Sequence, residues 1–236
     1  MKSRDAAGNL ATSADYQFMT TSPLDLDLVA GYAFDEGSGT TTADYSRNSS
    51  TGALFNVAWT KGKYGSALLF NGTDSYVTTP GIGLPAMNAP QTIAFWFNAS
   101  GKTTSTQPVV SLADEAQQIS IQSGFKEAQI GVWQNPGSWL VATVPPSANS
   151  WHHSAYSYDG QTHRFYIDGK QVSSSTIAPK VATPTSLQIG RMIGGSGYLK
   201  GSLDELRIYR RALTQADIRT LMLQSLAACG KYVADP

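Results

Sequence analysis

Residues 201–214, GSLDELRIYRRALT, constrain the fold of this chain more than any other stretch of its sequence. The first part alternates apolar and charged residues, which predicts a strand with one buried face. Thr214 is followed three residues later by Asp217, a spacing that predicts a helix beginning with a capping box. We therefore expect a late strand, with an acidic residue at its start, that leads into a short helix.

The rest of the chain consists of short apolar runs separated by turn signals. The 22 glycines and 11 prolines among 236 residues are typical of many strands joined by turns. Asp159-Gly160 and Asp168-Gly169 each lie between alternating runs and predict hairpins. The strands are predicted at 28–34, 67–70, 76–79, 91–98, 108–112, 118–122, 128–133, 138–144, 152–158, 163–167, 186–189 and 201–209. This pattern predicts an all-β fold, a two-sheet antiparallel β-sandwich of jelly-roll type with one short C-terminal helix.

Charge and hydropathy exclude several classes of partner. The formal net charge is +0, only 14% of residues are charged, and no polybasic run occurs. We therefore expect neither nucleic acid nor an anionic membrane as a partner. No apolar run approaches the roughly 18 residues that a membrane-spanning helix needs, so no membrane insertion is expected. The single cysteine, Cys229, rules out an intrachain disulfide.

The N-terminal residues predict a connection to another domain. Residues 1–4 begin with positive charge but no apolar segment follows, so this is not a signal peptide. Residues 4–10, RDAAGNL, and 16–21, YQFMTT, resemble the end of a bacterial Ig-like domain. The alternative is a disordered polar tail. We expect a tail over 1–27, one domain over 28–223 and a tail over 224–236. The chain is then an internal piece of a larger secreted bacterial protein, placed outside the cell or on its surface.

Five segments occur in an order and spacing that are similar to one family. They are YAFDEGSGTTTADYSRNSSTGAL (32–54), WTKGKYGSALLFNGTDSYVTTP (59–80), QTIAFWFN (91–98), WHHSAYSYDGQTHRFYIDGKQV (151–172) and LQIGRMIGGSGYLKGSLDELRIYRRALTQADI (187–218). Together they resemble the laminin-G-like, concanavalin A-like lectin/glucanase jelly-roll modules of bacterial exported proteins. The resemblance implies two curved antiparallel sheets, a concave face and, often, a bound calcium ion.

Glycoside hydrolysis has little support in the sequence, although many relatives in this wider superfamily are glucanases. Such enzymes need two carboxylates that flank the scissile bond, and one strand supplies them through an E-x-D-x-x-E spacing. None of the four glutamates has that spacing: Glu36, Glu115, Glu127 and Glu205. No G-x-S-x-G elbow is present either. We therefore expect no enzymatic activity and name no catalytic residue.

A calcium site is the first candidate functional site. Residues 44–50, DYSRNSS, place oxygen-bearing side chains at alternate positions, as at the start of a calcium-binding loop. In the resembled family this loop lies near the acidic residue of the last strand, here Asp204. The expected ligands of one structural Ca²⁺ ion are Asp44, Asn48, Ser50 and Asp204. Arg47 replaces the glycine usual in the family, and the alternative is an Asx-type turn without metal.

An aromatic face is the second candidate. Successive side chains of a strand point to opposite faces, so residues that alternate with core positions share an outer surface. If their strands form one sheet, the expected ligand-binding residues on its concave side are Trp96, Trp133, Trp139, His153, Arg164 and Tyr166. Tryptophan and tyrosine stack on sugar rings, while arginine and histidine bond hydroxyl groups. The alternative is that these aromatics pack under loops or against a neighbouring domain.

The sequence favours a non-catalytic carbohydrate-binding module, whose partners are a polysaccharide and the other domains of its parent chain. A protein-binding, adhesion or spacer module is the second hypothesis, and a divergent polysaccharide-cleaving enzyme is the third. Exposure separates the first two hypotheses. A groove with two or more exposed aromatic residues favours sugar binding, whereas a flat or covered face favours adhesion.

Overall fold

The computed structural model describes residues 2–4, 10–12, 25–99, 107–114, 119–126, 129–134, 138–142, 147–179, 181–192 and 197–229. At residues 2–4, 10–12, 25, 113–114, 119–126, 129–134, 138–139 and 229 only the backbone is described. Among the described residues, no helix is long and apolar enough to cross a membrane.

The described part of the chain is built almost entirely from strands. In chain order they are β1 Lys2–Arg4, β2 Leu10–Thr12, β3 Leu28–Tyr32, β4 Thr41–Thr42, β5 Gly52–Phe55, β6 Ala58–Lys61, β7 Ser66–Asn71, β8 Tyr76–Pro80, β9 Gln91–Ala99, β10 Gln107–Asp114, β11 Ile119–Lys126, β12 Gln129–Gln134, β13 Ser138–Val141, β14 His152–Tyr158, β15 His163–Ile167, β16 Lys170–Ser175, β17 Ser186–Ile189 and β18 Lys200–Tyr209. A single 3₁₀ turn at Asp25–Asp27 precedes β3, and two helices follow β18: α1 Gln215–Leu221 and α2 Leu226–Cys229.

Two antiparallel sheets form a sandwich. The first sheet has the strand order β13-β12-β11-β10-β17-β8-β5-β4. The second has the order β16-β15-β14-β9-β18-β7-β6, with β3 also paired to β18. The predicted β-sandwich is therefore confirmed, as is each predicted strand. The sequence pattern missed the three-residue strands β1 and β2 and, within the two sheets, β4, β5, β6 and β16, which are short or largely polar.

The core lies between the sheets and follows the predicted alternation. On β9, Ile93, Phe95 and Phe97 belong to the main buried cluster. On β18, Leu203 and Leu206 belong to it as well. Val77, Leu112 and Leu187 supply the facing side from the first sheet. Because alternate residues of a strand share a face, these positions also identify which residues point away from the core.

A second apolar cluster covers the outward face of the second sheet. Tyr166 and Tyr209 pack there with Ile218, Leu221 and Leu226 of the C-terminal segment. Helix α1 begins at the predicted capping box, because the Thr214 side chain accepts the Asp217 N–H and Asp217 accepts the Thr214 N–H. The sequence indicated one helix, whereas the described residues form two. The packed structure also continues past residue 223, the predicted domain boundary.

A β-bulge in β18 holds this C-terminal segment in place. The register of β18 against β9 shifts between Asp204 and Arg207, and Glu205 has a positive φ of 55°. A bulge inserts an extra residue that re-aims its neighbours, and here Glu205 and Arg207 form a buried ion pair at 2.8 Å. Arg207 also donates to the carbonyls of Leu221 and Gln224, and Glu205 accepts the N–H of Leu226.

The N-terminal ribbon is separate from both sheets. Strands β1 and β2 pair only with each other, with Ser3 opposite Ala11. The turn between them and the YQFMTT segment lie outside the described residues. The resemblance to the end of an Ig-like domain therefore stays a prediction.

The ion pair makes Arg207 essential for stability. We expect Arg207→Ala to lower the free energy of unfolding by about 3–5 kcal/mol, because it leaves the Glu205 carboxylate buried without its partner. Arg210→Ala is the control, since Arg210 is 62% exposed and lies 3.5 Å from Asp27. It should cost less than about 1 kcal/mol. Urea unfolding measures both variants, and equal losses would contradict the role of the buried pair.

Candidate functional site

The outward face of the second sheet contains four of the six predicted ligand-binding residues, of which Trp96, His153 and Tyr166 are buried. The register places His153 opposite Trp96, and Tyr166 lies one strand further on β15. Their exposures are 4% for Trp96, 0% for His153 and 3% for Tyr166. The prediction of an exposed aromatic surface is therefore wrong at these positions. The C-terminal helices and the turn between β6 and β7 cover this face, which the strand pattern alone does not reveal.

Several contacts show how this covered face is packed. The Trp96 ring lies edge-on to His153 at 5.3 Å between centroids, and the Lys63 ammonium lies 4.3 Å from the centre of the same ring. Burial and the charge of Arg207 lower the pKa of His153 to about 3, so its imidazole is neutral. Tyr64 bonds the carbonyl of Met222 through its hydroxyl and thereby connects the turn to the end of α1.

Arg164 lies on the same face and forms an ion pair with a neighbouring side chain. Its guanidinium pairs with Asp159 at 2.6 Å, and both side chains are about one-third exposed. Asp159 also accepts the N–H groups of Gln161 and Thr162, and these backbone bonds, with Arg164, hold its pKa low. Arg164 therefore stabilises the β14–β15 turn, and the exposed aromatic neighbours expected beside it are absent among the described residues of this face.

The predicted calcium ligands do not assemble as expected. Both Asp44 oxygens accept hydrogen bonds, from the N–H groups of Gly31, Ser46 and Ser50 and from the Ser46 hydroxyl, at 2.7–2.9 Å. Asn48 donates its amide to the carbonyls of Val29 and Ile82. N–H groups, not open oxygens, therefore surround the carboxylate, and this arrangement does not fit a calcium ion. It matches the Asx-type turn.

Asp204, the fourth predicted calcium ligand, belongs to a different environment. It is fully buried beneath the β6–β7 turn, where its Oδ2 accepts the N–H of Tyr64 at 3.0 Å. Its Oδ1 has no hydrogen-bond partner among the described residues. Burial raises the pKa of Asp204 to about 8, with a further contribution from the Glu205 charge. No group of three or more potential metal-binding side chains occurs in the described part of the chain.

The outward face of the first sheet contains the remaining candidates. Residues directly opposite each other on neighbouring strands share a face. One such row crosses six strands, from β8 to β13: Thr78, Gln188, Ser111, Gln122, Trp133 and Trp139. The neighbours Val77, Leu187 and Leu112 face the core, so this row lies on the opposite side of the sheet. Trp133 and Trp139 were therefore assigned to the wrong sheet, and their side chains lie outside the described part.

A network of side chains extends this row at its β5–β8–β17 end. The rings of Phe55 and Tyr76 stack at 4.6 Å with an interplanar angle of 11°. Arg191 places its guanidinium 3.8 Å from the centre of the Tyr76 ring. Its Nε donates to the Gln188 side chain, and the Gln188 amide donates to the Thr78 hydroxyl at 2.6 Å. Phe55 is 42% exposed.

We call the set Phe55, Tyr76, Thr78, Gln188 and Arg191 the aromatic-arginine patch. It combines a flat apolar surface with fixed hydrogen-bonding groups, which is what recognition of a sugar ring requires. None of its members is among the ligand-binding residues predicted from sequence. The alternation of Tyr76 and Thr78 with core residues was visible, but the strand of Phe55 was not predicted and Arg191 lies outside any strand.

Comparison with protein families gives one match. A laminin G-type family model, described as the concanavalin A-like lectin/glucanases superfamily, matches residues 71–219, more than half of the chain. None of the curated proteins compared with the chain matches it.

Solved structures show the same fold. Domain 4 of AbnA, a GH43 extracellular arabinanase from Geobacillus stearothermophilus, in complex with arabinotriose, is 25% identical. Its TM-score is 0.69, over 83% of this chain and 98% of that one. The binding domain of Paraclostridial Mosquitocidal Protein 1 is 15% identical over 84% of this chain, with a TM-score of 0.69. The receptor binding domain of botulinum neurotoxin D is 11% identical over 85%, with a TM-score of 0.69. This chain spans 52% and 53% of those two toxin chains, which show the fold alone.

The raised pKa of Asp204 predicts a pH dependence of stability. An unfolded aspartate has a pKa near ~3.9, so between that value and about 8 the folded state holds a proton that the unfolded state releases. The stability from Asp204 is therefore complete below about pH 4 and is lost as the pH rises towards about 8. The free energy of unfolding of Asp204→Asn, relative to that of the unchanged chain, should therefore increase by at least ~1 kcal/mol when the pH is raised from about 5 to about 8.5. Urea unfolding at both pH values measures this gain, and an identical difference at both would contradict it.

Thermal unfolding tests whether the chain binds calcium, a prediction that the structure itself does not test. Because the hydrogen bonds of Asp44 are complete, we expect the same melting temperature in EDTA and in millimolar Ca²⁺. We also expect Asp44→Ala to lose about 2–4 kcal/mol in both buffers, since it leaves three buried N–H groups without an acceptor. A melting temperature that rises with calcium, and that Asp44→Asn makes independent of calcium, would support the metal site instead.

Proposed function

The chain belongs to the concanavalin A-like lectin/glucanases superfamily, and we propose that it is a non-catalytic module that binds a polysaccharide on the outward face of its first sheet. The aromatic-arginine patch carries this proposal. It is the place among the described residues where stacked, partly exposed aromatic rings lie beside a connected set of polar side chains.

The arrangement of the two sheets also supports ligand binding on the outward face of the first sheet. The second sheet is covered by its C-terminal segment, so its aromatic residues are used for packing. On the first sheet, Phe55 is exposed, and Tyr76, Thr78 and Arg191 are partly exposed. The row of register positions that begins at Thr78 reaches Trp133 and Trp139.

The comparisons supply the first ligand to test. The structure of the AbnA domain contains arabinotriose, and the match covers 83% of this chain and 98% of that domain. We therefore take arabino-oligosaccharides as the starting probe. Stacking contacts worth about 1 kcal/mol each, offset by the cost of association, give an expected Kd of roughly 0.1–1 mM.

Catalysis and adhesion are the other candidate functions. Among the described glutamates, Glu205 is buried in its ion pair and Glu36 accepts the N–H of Ala43, so neither forms part of an accessible carboxylate pair.

A flat or covered face is the feature that favours adhesion, and the second sheet has such a face. The exposed ring of Phe55 and the partly exposed ring of Tyr76 on the first sheet favour the sugar. We propose that the module belongs to an exported parent protein.

A pair of matched variants tests the proposal. Phe55 and Leu69 are each 42% exposed, the first on the first sheet and the second on the second sheet. We expect Phe55→Ala to weaken binding of arabino-oligosaccharides about fivefold, which corresponds to about 1 kcal/mol. Leu69→Ala should leave the Kd unchanged. Isothermal titration calorimetry measures both, and equal effects of the two substitutions would argue against binding on the first sheet.

A further inference from the structure

We propose that the aromatic-arginine patch selects acidic glycans, and that Arg191 binds the carboxylate of a uronic acid unit. This inference rests on the proposed glycan-binding function and narrows its substrate class. It is based on the hydrogen bonding of the Arg191 guanidinium. Other arginines of the described chain pair with acidic side chains, whereas Arg191 does not.

Arg191 is held in one orientation by two neighbours. Its Nε donates to the Gln188 side-chain oxygen at 3.0 Å, and its planar group lies 3.8 Å from the centre of the Tyr76 ring. Gln188 is itself only 4% exposed, and its amide nitrogen donates a hydrogen bond to the Thr78 hydroxyl. The amide therefore cannot flip without losing both hydrogen bonds. The guanidinium is thus pre-organised before a ligand arrives, which lowers the entropic cost of binding.

No described residue bonds the terminal nitrogens of this guanidinium. Among the described residues, Arg191 makes only the Gln188 hydrogen bond and the contact with Tyr76, and no carboxylate pairs with it. Arg164 and Arg207, by contrast, pair with Asp159 and Glu205. A planar guanidinium with open terminal N–H groups matches a carboxylate, which it binds through two parallel hydrogen bonds.

A buried hydroxyl beside this network also lacks a partner. Ser111 stands directly opposite Gln188 in the register, is 0% exposed, and its hydroxyl has no hydrogen-bond partner among the described residues. Buried polar groups are normally satisfied, so this hydroxyl takes a partner other than the described residues. The patch also has an acidic residue nearby in sequence, Asp74, two residues before Tyr76. Its two oxygens accept hydrogen bonds from the side chains of Asn56 and Asn71, and it does not pair with Arg191.

The geometry therefore assigns separate roles to separate groups. The exposed Phe55 ring stacks on a sugar face, Arg191 binds the carboxylate, and Gln188 acts as a positioning residue for Arg191. Because the formal net charge of the chain is +0, a preference for anionic ligands would come from this local cation and not from the protein as a whole.

The experiment compares acidic oligosaccharides with their methyl esters. The probes are oligogalacturonates and alginate oligosaccharides, each as the free acid and as the methyl ester, with neutral arabino-oligosaccharides alongside. The variants are Arg191→Gln, Arg191→Lys and, as a control, Arg210→Gln, an exposed arginine near Asp27. We expect at least one free acid to bind about tenfold more tightly than its ester at low salt, and less so at high salt.

The variants separate charge recognition from general binding. Arg191→Gln should abolish the preference for the acid while changing the Kd of the ester less than about twofold. Arg191→Lys should keep only part of the preference, because an ammonium group does not bind a carboxylate through a planar pair of bonds. Arg210→Gln should behave like the unchanged chain, and circular dichroism should show all three variants folded.

Three results would overturn the inference. The first is equal binding of acid and ester by the unchanged chain. The second is an acid preference that survives Arg191→Gln. The third is failure of both acidic backbones to bind while arabino-oligosaccharides do. In the third case the proposed function stands without the acidic specificity, whereas binding of none of the probes would remove the proposed function itself.

Discussion

The buried ion pair between Glu205 and Arg207 is the interaction on which the arrangement of this domain depends. Both side chains are at most 2% exposed, and together they bond three backbone groups of the C-terminal segment, at Leu221, Gln224 and Leu226. A buried charge is tolerated only when it is paired and hydrogen-bonded, so these partners must stay together. The pair therefore fixes α1 and α2 against the second sheet.

The covering of one sheet decides where a ligand can bind. With α1 seated on Tyr166 and Tyr209, the outward face of the second sheet becomes a second core, and its aromatic residues stabilise the fold. The first sheet has no described helix on its outward side. The sandwich thus has two outward faces, separated by the main core. The face of the second sheet packs against the C-terminal helices, and the face of the first sheet contains the aromatic-arginine patch.

The fold was predictable from sequence because its signals are local. Alternation identified the core residues of β9 and β18, and Thr214 with Asp217 identified the start of α1. The site was less predictable, because the partner of each strand is not encoded in the strand itself. Trp96 and Trp133 have the same local pattern, yet β9 and β12 belong to different sheets. The bulge at Glu205, which decides what covers Trp96, also leaves no local signal beyond an irregular spacing of leucines.

The most direct test of this account is to locate the bound glycan on the domain by nuclear magnetic resonance. Amide chemical shifts would be followed while an arabino-oligosaccharide or an acidic oligosaccharide is added to saturation. The account predicts that the largest shifts cluster on β5, β8 and β17, around Phe55, Tyr76 and Gln188. Shifts that cluster instead on α1, β14 and β15, or no shifts with any glycan, would contradict it.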